Sequence, residues 1–299
     1  MQLDRTRVAI RERNLLEILD LSLRVVRCFF RPLLMSWLVG VLPLMLLNYW
    51  LVGWMGNIPP GYGPDQIWYW IRFIWTMIVL VYIATPIATV PMTLYLGDAM
   101  FLQQSSPWTI ATNAWKLLPR LLVCVGLIRG VLLAWLLVYF IDPLLDFSPA
   151  ELMLIFLAGY VLLLRSARPY IGEIVLLERN PLRKTRERTL TIGRRSAAFH
   201  NPHGSDLVAR AILITVLAII TTVSIFFGFW FVGGTLLNNW RWGPITMHVL
   251  FPLSMWIVAG YLCVVRFLSY LDFRIRGEGW EVELRMRAES SRLTRQATS

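Results

Sequence analysis

The chain has 299 residues, of which 57% are hydrophobic and only 16% charged, and its mean hydropathy is +0.59. That is more apolar side chain than one water-soluble core absorbs, so the composition excludes an ordinary soluble protein and requires helices that face lipid. The net charge of +11 would suggest nucleic acid in a soluble protein, but in a membrane protein the placement of the arginines matters more than their sum, and no nucleic-acid partner is expected.

Residues 1–31 read as a cytoplasmic or interfacial amphipathic segment. Leu15, Ile18, Leu19, Val26 and Phe29 share one helical stripe, while Glu17, Asp20, Arg24 and Arg27 largely lie elsewhere. That pattern suits a helix lying along the membrane surface or one packed under the bundle. Arg5, Arg7, Arg11 and Arg13 are not followed by a short apolar run ending in small residues, so no cleaved signal peptide is expected.

Residues 32–273 predict a six-helix transmembrane domain. Crossing one runs from Pro32 to Met55 and stops at the Gly/Pro-rich turn 57–64. Crossing two runs from Trp68 to Thr89, with a kink at Pro86 and Pro91. Crossing three is Leu121 to Ile141, crossing four Leu152 to Tyr170, crossing five Leu207 to Val232 and crossing six Ile245 to Phe267. A basic loop, 178–206, separates crossings four and five, and residues 274–299 form a cytoplasmic tail. In that tail Arg274 and Arg276 mix with Glu278, Glu281 and Glu283 of opposite sign, and Gly277 and Gly279 are expected to interrupt any helix.

Basic residues cluster on alternate sides of this arrangement. The N-terminal segment, the stretch with Lys116 and Arg120, the loop with Arg183, Lys184 and Arg186, and the tail all fall on one side, while the other loops offer Asp65, Asp142, Asp146 and the single base Arg241. The positive-inside rule then places both termini in the cytoplasm of a bacterial inner membrane, with Trp54, Trp68, Trp70, Trp240 and Trp242 as an aromatic belt on the far side. Cys28, Cys124 and Cys263 read as small apolar residues, and no cofactor is expected.

Arg129 sits in mid-span between Val125-Gly-Leu-Ile128 and Gly130-Val-Leu-Leu133, where a charge costs roughly 2.5–3.5 kcal/mol on an insertion scale. It serves either a polar pathway with an anionic ligand or a structural pairing with a neighbouring helix. A weak repeat relates Gly97-Asp-Ala-Met-Phe-Leu102 to Gly172-Glu-Ile-Val-Leu-Leu177, which places Asp98 and Glu173 in matching positions. Either acid is expected to neutralise Arg129, Arg165, Arg168 or Arg210. His200 and His203, around a proline in a basic loop, read as solvated, and no P-loop, nucleophile elbow or zinc-protease motif is present. Arg183, Lys184, Arg186, Asp272, Arg274, Arg276 and Glu278 are candidate cytoplasmic contacts for anionic lipid headgroups, worth about 1 kcal/mol per base at such a surface, or for a protein partner.

Three segments carry a family likeness: Glu17-Ile-Leu-Asp-Leu-Ser-Leu-Arg24, Gly172-Glu-Ile-Val-Leu-Leu-Glu-Arg-Asn-Pro-Leu182 and Tyr270-Leu-Asp-Phe-Arg-Ile-Arg-Gly-Glu-Gly-Trp280. Together they resemble the multi-pass membrane domain attached to some bacterial glycerophosphoryl diester phosphodiesterases. The resemblance implies a membrane fold and no activity, since hydrolysis in those enzymes belongs to a soluble barrel, for which no polar segment here is long enough. The expected function is that of a non-enzymatic membrane protein acting as an accessory or assembly partner at the cytoplasmic face. The alternative is a transporter or lipid-handling protein with a polar site around Arg129.

Overall fold

The structure, a computed structural model, describes residues 13–56, 66–100, 112, 119, 121–142, 147–178, 191–201, 204–238, 240 and 242–278. Among them there is no strand. In chain order the helices are α1 (Leu15–Cys28), α2 (Phe30–Val52), α3 (Gln66–Ala88), α4 (Val90–Met100), α5 (Val131–Tyr139), α6 (Pro149–Ala167), α7 (Ile192–His200), α8 (Gly204–Leu237) and α9 (Phe251–Glu278). Wide π-type turns at Leu122–Leu127, Ile174–Glu178 and Thr246–Leu250 adjoin them. Five stretches are long and apolar enough to cross a membrane: Phe30–Met55, Trp68–Met100, Pro149–Ala167, Gly204–Leu236 and Thr246–Gly277.

Prolines set the shape of the second stretch. Pro86 and Pro91 cannot donate to the carbonyls four residues back, and the helix is interrupted at Thr89, between α3 and α4. The threonine side chains hold the broken path together: Thr85, Thr89 and Thr93 each donate to the carbonyl one turn earlier, at Val81, Thr85 and Thr89. Past this interruption the helix continues from Val90 to Met100.

Crossing three is not the single helix expected. A π-type turn over Leu122–Leu127 ends at a break over Ile128–Gly130, and α5 starts only at Val131. Gly130 has φ +70° and caps α5 in the left-handed conformation, where a side chain would be strained. Its packing is equally tight, because a Cβ there would meet Leu157 at 2.6 Å. Arg129 therefore sits at the break itself. Crossing four starts earlier than expected, since Ser148 and Glu151 form a reciprocal capping box and Pro149 opens the first turn.

The tail expectation needs a second correction: α9 runs without interruption to Glu278, through Gly277. At 1.5 Å per residue α8 and α9 are roughly 50 and 42 Å long, longer than a hydrocarbon core of about 30 Å. Their excess, with α1, forms the base of the bundle. There the Arg13 backbone N–H donates to Asp272 Oδ1 at 2.8 Å, and Arg276 Nη2 donates back to the Arg13 carbonyl at 2.7 Å. The N-terminal helix thus packs on the bundle. Its predicted stripe, joined by Ser22 and Val25, lies against Cys263, Val264, Phe267 and Leu268 of α9, and Ser22 Oγ donates to Tyr261 Oη at 3.0 Å.

The core is the parallel pair of α3–α4 and α9, while most of α2, α6 and α8 is left facing outward. Phe73 meets His248 at one end, and Thr93 meets Cys263 further down. Cys124 is buried as well, whereas Cys28 is at the surface. Helix α2 crosses this pair closely, with Trp37 Nε1 donating to the Trp256 carbonyl at 2.9 Å and Gly40 set against the α3–α4 junction. A Cβ on Gly40 would lie 1.9 Å from the Ala88 carbonyl oxygen, which is backbone and cannot rotate away. Gly40→Ala should therefore destabilise the protein by about 1–3 kcal/mol, read as a lowered unfolding midpoint in detergent. Gly228→Ala on α8, where the new methyl meets nothing, should not lower it, and equal midpoints for the two variants would refute this packing.

Candidate functional site

Nearer the base, three arginines from three segments converge. Arg165, roughly 24 Å along α6 from its start, and Arg266, roughly 30 Å below Thr246, lie in the same half of the bundle. Arg129 comes from the break in crossing three and is 2% exposed. Arg129, Arg165 and Arg266 act on one another electrostatically, and each feels Glu173.

Local backbone chemistry explains how each arginine is held. Pro86 frees the carbonyl of Tyr82, four residues earlier, and Arg165 Nη1 donates to that carbonyl at 2.8 Å, with its guanidinium 4.5 Å from the centre of the Tyr82 ring. Pro169 halts α6, and the carbonyl of its C-cap residue Arg168 accepts from Arg129 Nη2 at 2.7 Å, a cation at the negative end of a helix. Arg266 Nε donates to Glu173 Oε1 at 2.5 Å, and its Nη2 reaches Thr89 Oγ1 at 3.3 Å. Glu173 is fully buried. Two of the three guanidiniums are therefore met by neutral carbonyls, and one carboxylate serves the third. Among the described residues, Arg129 Nε and Glu173 Oε2 are buried without a hydrogen-bond partner.

The expected pairings are thus only partly met. Glu173 is engaged, but by Arg266 rather than by Arg129, Arg165, Arg168 or Arg210. Arg168 contributes its carbonyl. Arg210 belongs to the base, with Asp206 at 3.2 Å, Asp272 at 3.9 Å and the Phe273 ring beneath it. Asp98 forms no ion pair among the described residues, so the repeat does not extend to the chemistry of its two acids. It does extend to contact, because Gly97 packs directly against Leu177. Asp98 and Glu173 share no hydrogen bond.

Of the candidate cytoplasmic contacts, the three described ones, Asp272, Arg274 and Arg276, engage the chain's own groups. Asp272 is 2% exposed and holds Arg276 at 3.1 Å as well as Arg13. Arg274 lies 3.9 Å from Glu178, which also receives the Tyr270 hydroxyl at 2.7 Å and two bonds from Arg195 at 2.7 and 3.0 Å. These contacts tie the end of α9 to Glu178 and Arg195 of the 178–206 loop. Arg183, Lys184 and Arg186 lie outside the described residues, as does the side chain of Glu278. His200 is buried, not solvated: the Tyr170 backbone N–H donates to its Nε2 at 3.3 Å, and its Nδ1 faces the Ser196 carbonyl at 2.7 Å. His203 lies outside the described residues.

Sequence reasoning missed two arginines. Arg266, in Val264-Val-Arg-Phe267, is as isolated in apolar sequence as Arg129 and was legible by the same signal. Arg72, in crossing two, forms a bidentate pair with Glu151 at 2.5 and 3.1 Å, and both are almost fully buried. Arg72 also donates to the Asp142 carbonyl at 3.0 Å, and Glu151 accepts from the Ser148 N–H at 2.7 Å. Each charge of that pair is met by the other, which marks it as structural. The Ser148-x-x-Glu151 spacing was its readable half.

Among the described residues no cluster of His, Cys, Asp and Glu is arranged to hold a metal ion. No family model, no curated protein and no solved structure matches this chain.

Two groups at the base link stability to pH. Burial pushes the His200 imidazole below its ordinary range, against the raising effect of its bond to Ser196. Burial raises the Glu178 carboxyl, but hydrogen bonds from Arg195 and Tyr270 outweigh it and hold the group below the usual carboxylate range. In both cases the unfolded chain takes up the proton first, so stability present at neutral pH is lost on acidification, from about pH 6.5 for His200 and about pH 4.3 for Glu178. Unfolding midpoints in detergent from pH 8 to pH 4 should fall in that order, and His200→Gln should flatten the first decline. A first decline unchanged in that variant would remove His200 from the account.

Proposed function

We propose that this chain is a multi-pass protein of the bacterial cytoplasmic membrane, with six crossings and both termini in the cytoplasm, and that it binds an anionic ligand in a lipid-handling or transport role. The observation that carries the functional part is that Arg129, 2% exposed, and the partly exposed Arg165 and Arg266 share the single carboxylate of Glu173, with Arg129 Nε buried and without a hydrogen-bond partner among the described residues. A cation kept in a dry interior without a counter-ion is costly unless an anion arrives to meet it. Leu127 and Ile128, immediately before Arg129, are exposed on the lipid-facing flank, so the site stands one residue behind the surface from which a lipid would enter.

The accessory-partner reading is the weaker one. It rests on charged residues at the cytoplasmic edge, of which Asp272, Arg274 and Arg276 engage the chain's own base, while Arg183, Lys184, Arg186 and the Glu278 side chain lie outside the described residues. The family likeness to phosphodiesterase membrane domains belongs to this proposal as a membrane-embedded architecture without a reaction attached to it.

Parity supports six crossings. Five long helices alone would leave Arg13 and Asp272 on opposite faces, yet they are hydrogen-bonded, which supports the reading in which the broken segment around α5 is a further crossing. The concentration of bases at that end supports its being cytoplasmic. Thiols introduced near Gly61, Asp146 and Asn238 should react with an impermeant reagent on intact cells, and those near Lys184 and Arg287 only after permeabilisation. The opposite pattern would reverse the orientation. For the ligand, protein in nanodiscs of mixed neutral and anionic lipid should retain anionic species on native mass spectrometry, with occupancy at least tenfold lower in Arg266→Gln. Retention without regard to headgroup charge would overturn the anion reading.

A further inference from the structure

Resting on that reading, we infer that the anion taken by the Arg129, Arg165 and Arg266 site is a phosphate monoester in its doubly charged form. The argument is charge matching in a low-dielectric interior. Among the described residues, three guanidiniums and the carboxylate of Glu173 leave two positive charges met by neutral groups, the Tyr82 and Arg168 carbonyls, the Tyr82 ring and the Thr89 hydroxyl. Carbonyl dipoles orient a guanidinium but do not cancel its charge. A phosphodiester or carboxylate ligand brings one negative charge and leaves one cation unbalanced. A phosphate monoester brings between one and a half and two at about pH 7.

Geometry agrees with charge. Guanidinium groups fit phosphate oxygens as planar forks, and a monoester offers three free oxygens to guanidiniums on separate segments where a diester has two of its four blocked. The open donor, Arg129 Nε, is on a side chain that is itself 2% exposed, so its missing partner is not bulk water. Glu173 stays on Arg266 and limits the excess to two charges.

A membrane-anchored monoester and free inorganic phosphate share this chemistry, and the test separates them. Full-length protein is placed in nanodiscs of phosphatidylcholine alone, with one-tenth phosphatidic acid, or with one-tenth phosphatidylglycerol, and bound lipid is counted by native mass spectrometry with and without millimolar phosphate. Phosphatidic acid should be bound at least tenfold more than phosphatidylglycerol. Displacement by phosphate assigns the site to the free ion, and resistance to displacement assigns it to the lipid.

Arg129→Gln leaves a single net charge and should bring the two lipids within threefold of one another while phosphatidylglycerol stays bound. Arg165→Gln, at a partly exposed position, gives the same charge count if the first variant does not fold. Equal binding of the two lipids by the unaltered protein overturns the monoester inference and leaves the anion reading standing. Binding of neither lipid and no effect of phosphate defeat both.

Discussion

A charged side chain inside a bilayer has to find its counterparts within the protein, and that constraint orders the interior of this bundle. Helical backbone offers no help, because its carbonyls are already spent on the next turn. Prolines and helix ends release carbonyls, and the buried arginines sit where such releases occur. Arg165 takes the Tyr82 oxygen freed by Pro86, and Arg129 takes the Arg168 oxygen at the end that Pro169 imposes on α6. The broken helices and the embedded cations are therefore one feature: without the breaks the guanidiniums have no acceptors, and without the guanidiniums the freed carbonyls are orphaned in an apolar medium.

The two buried arginine sites differ in how completely this is done. At Arg72 a carboxylate, a carbonyl and a capped helix start account for the charges on both sides. Removing either partner there would strand the other, which is how a structural ion pair behaves. Around Arg129 the same kinds of group are present, but the carboxylates are fewer than the cations. The difference between a finished and an unfinished set of partners separates Arg72 from Arg129, which are equally buried at 2%.

Much of the fold was legible because hydrophobic length and proline position act locally. The amphipathic stripe of α1, the stop after Met55 and the interruption near Pro86 could all be read from neighbours in sequence. The break at Arg129 was not read, although Gly126 and Gly130 flank it, because glycine is common in membrane helices and its left-handed conformation follows from packing against Leu157. Ion-pair partners were less legible still. Glu173 lies 93 residues from Arg266, and only the fold decides which of several arginines it meets. His200 was misread for a related reason: a polar loop composition gives no sign that the loop folds back under Tyr170, Phe199 and Phe273 as a closed aromatic cluster.

The segment after α6 shows how local helix geometry selects those distant partners. Glu173 and Glu178 are five residues apart, and on an α-helix, at about 100° per residue, they would point well away from each other. The wide turn over Ile174–Glu178 closes its hydrogen bonds five residues apart instead, which brings the two carboxylates toward one face. On α9 their partners Arg266 and Tyr270 are separated by four residues, one α-helical turn, and so also share a face. A regular helix at 171–178 would present one acid to α9 and turn the other aside, leaving either the arginine site or the base without its carboxylate. The wide turn sets the register between the two segments, and through Arg266 it also fixes how much positive charge the interior is left to carry.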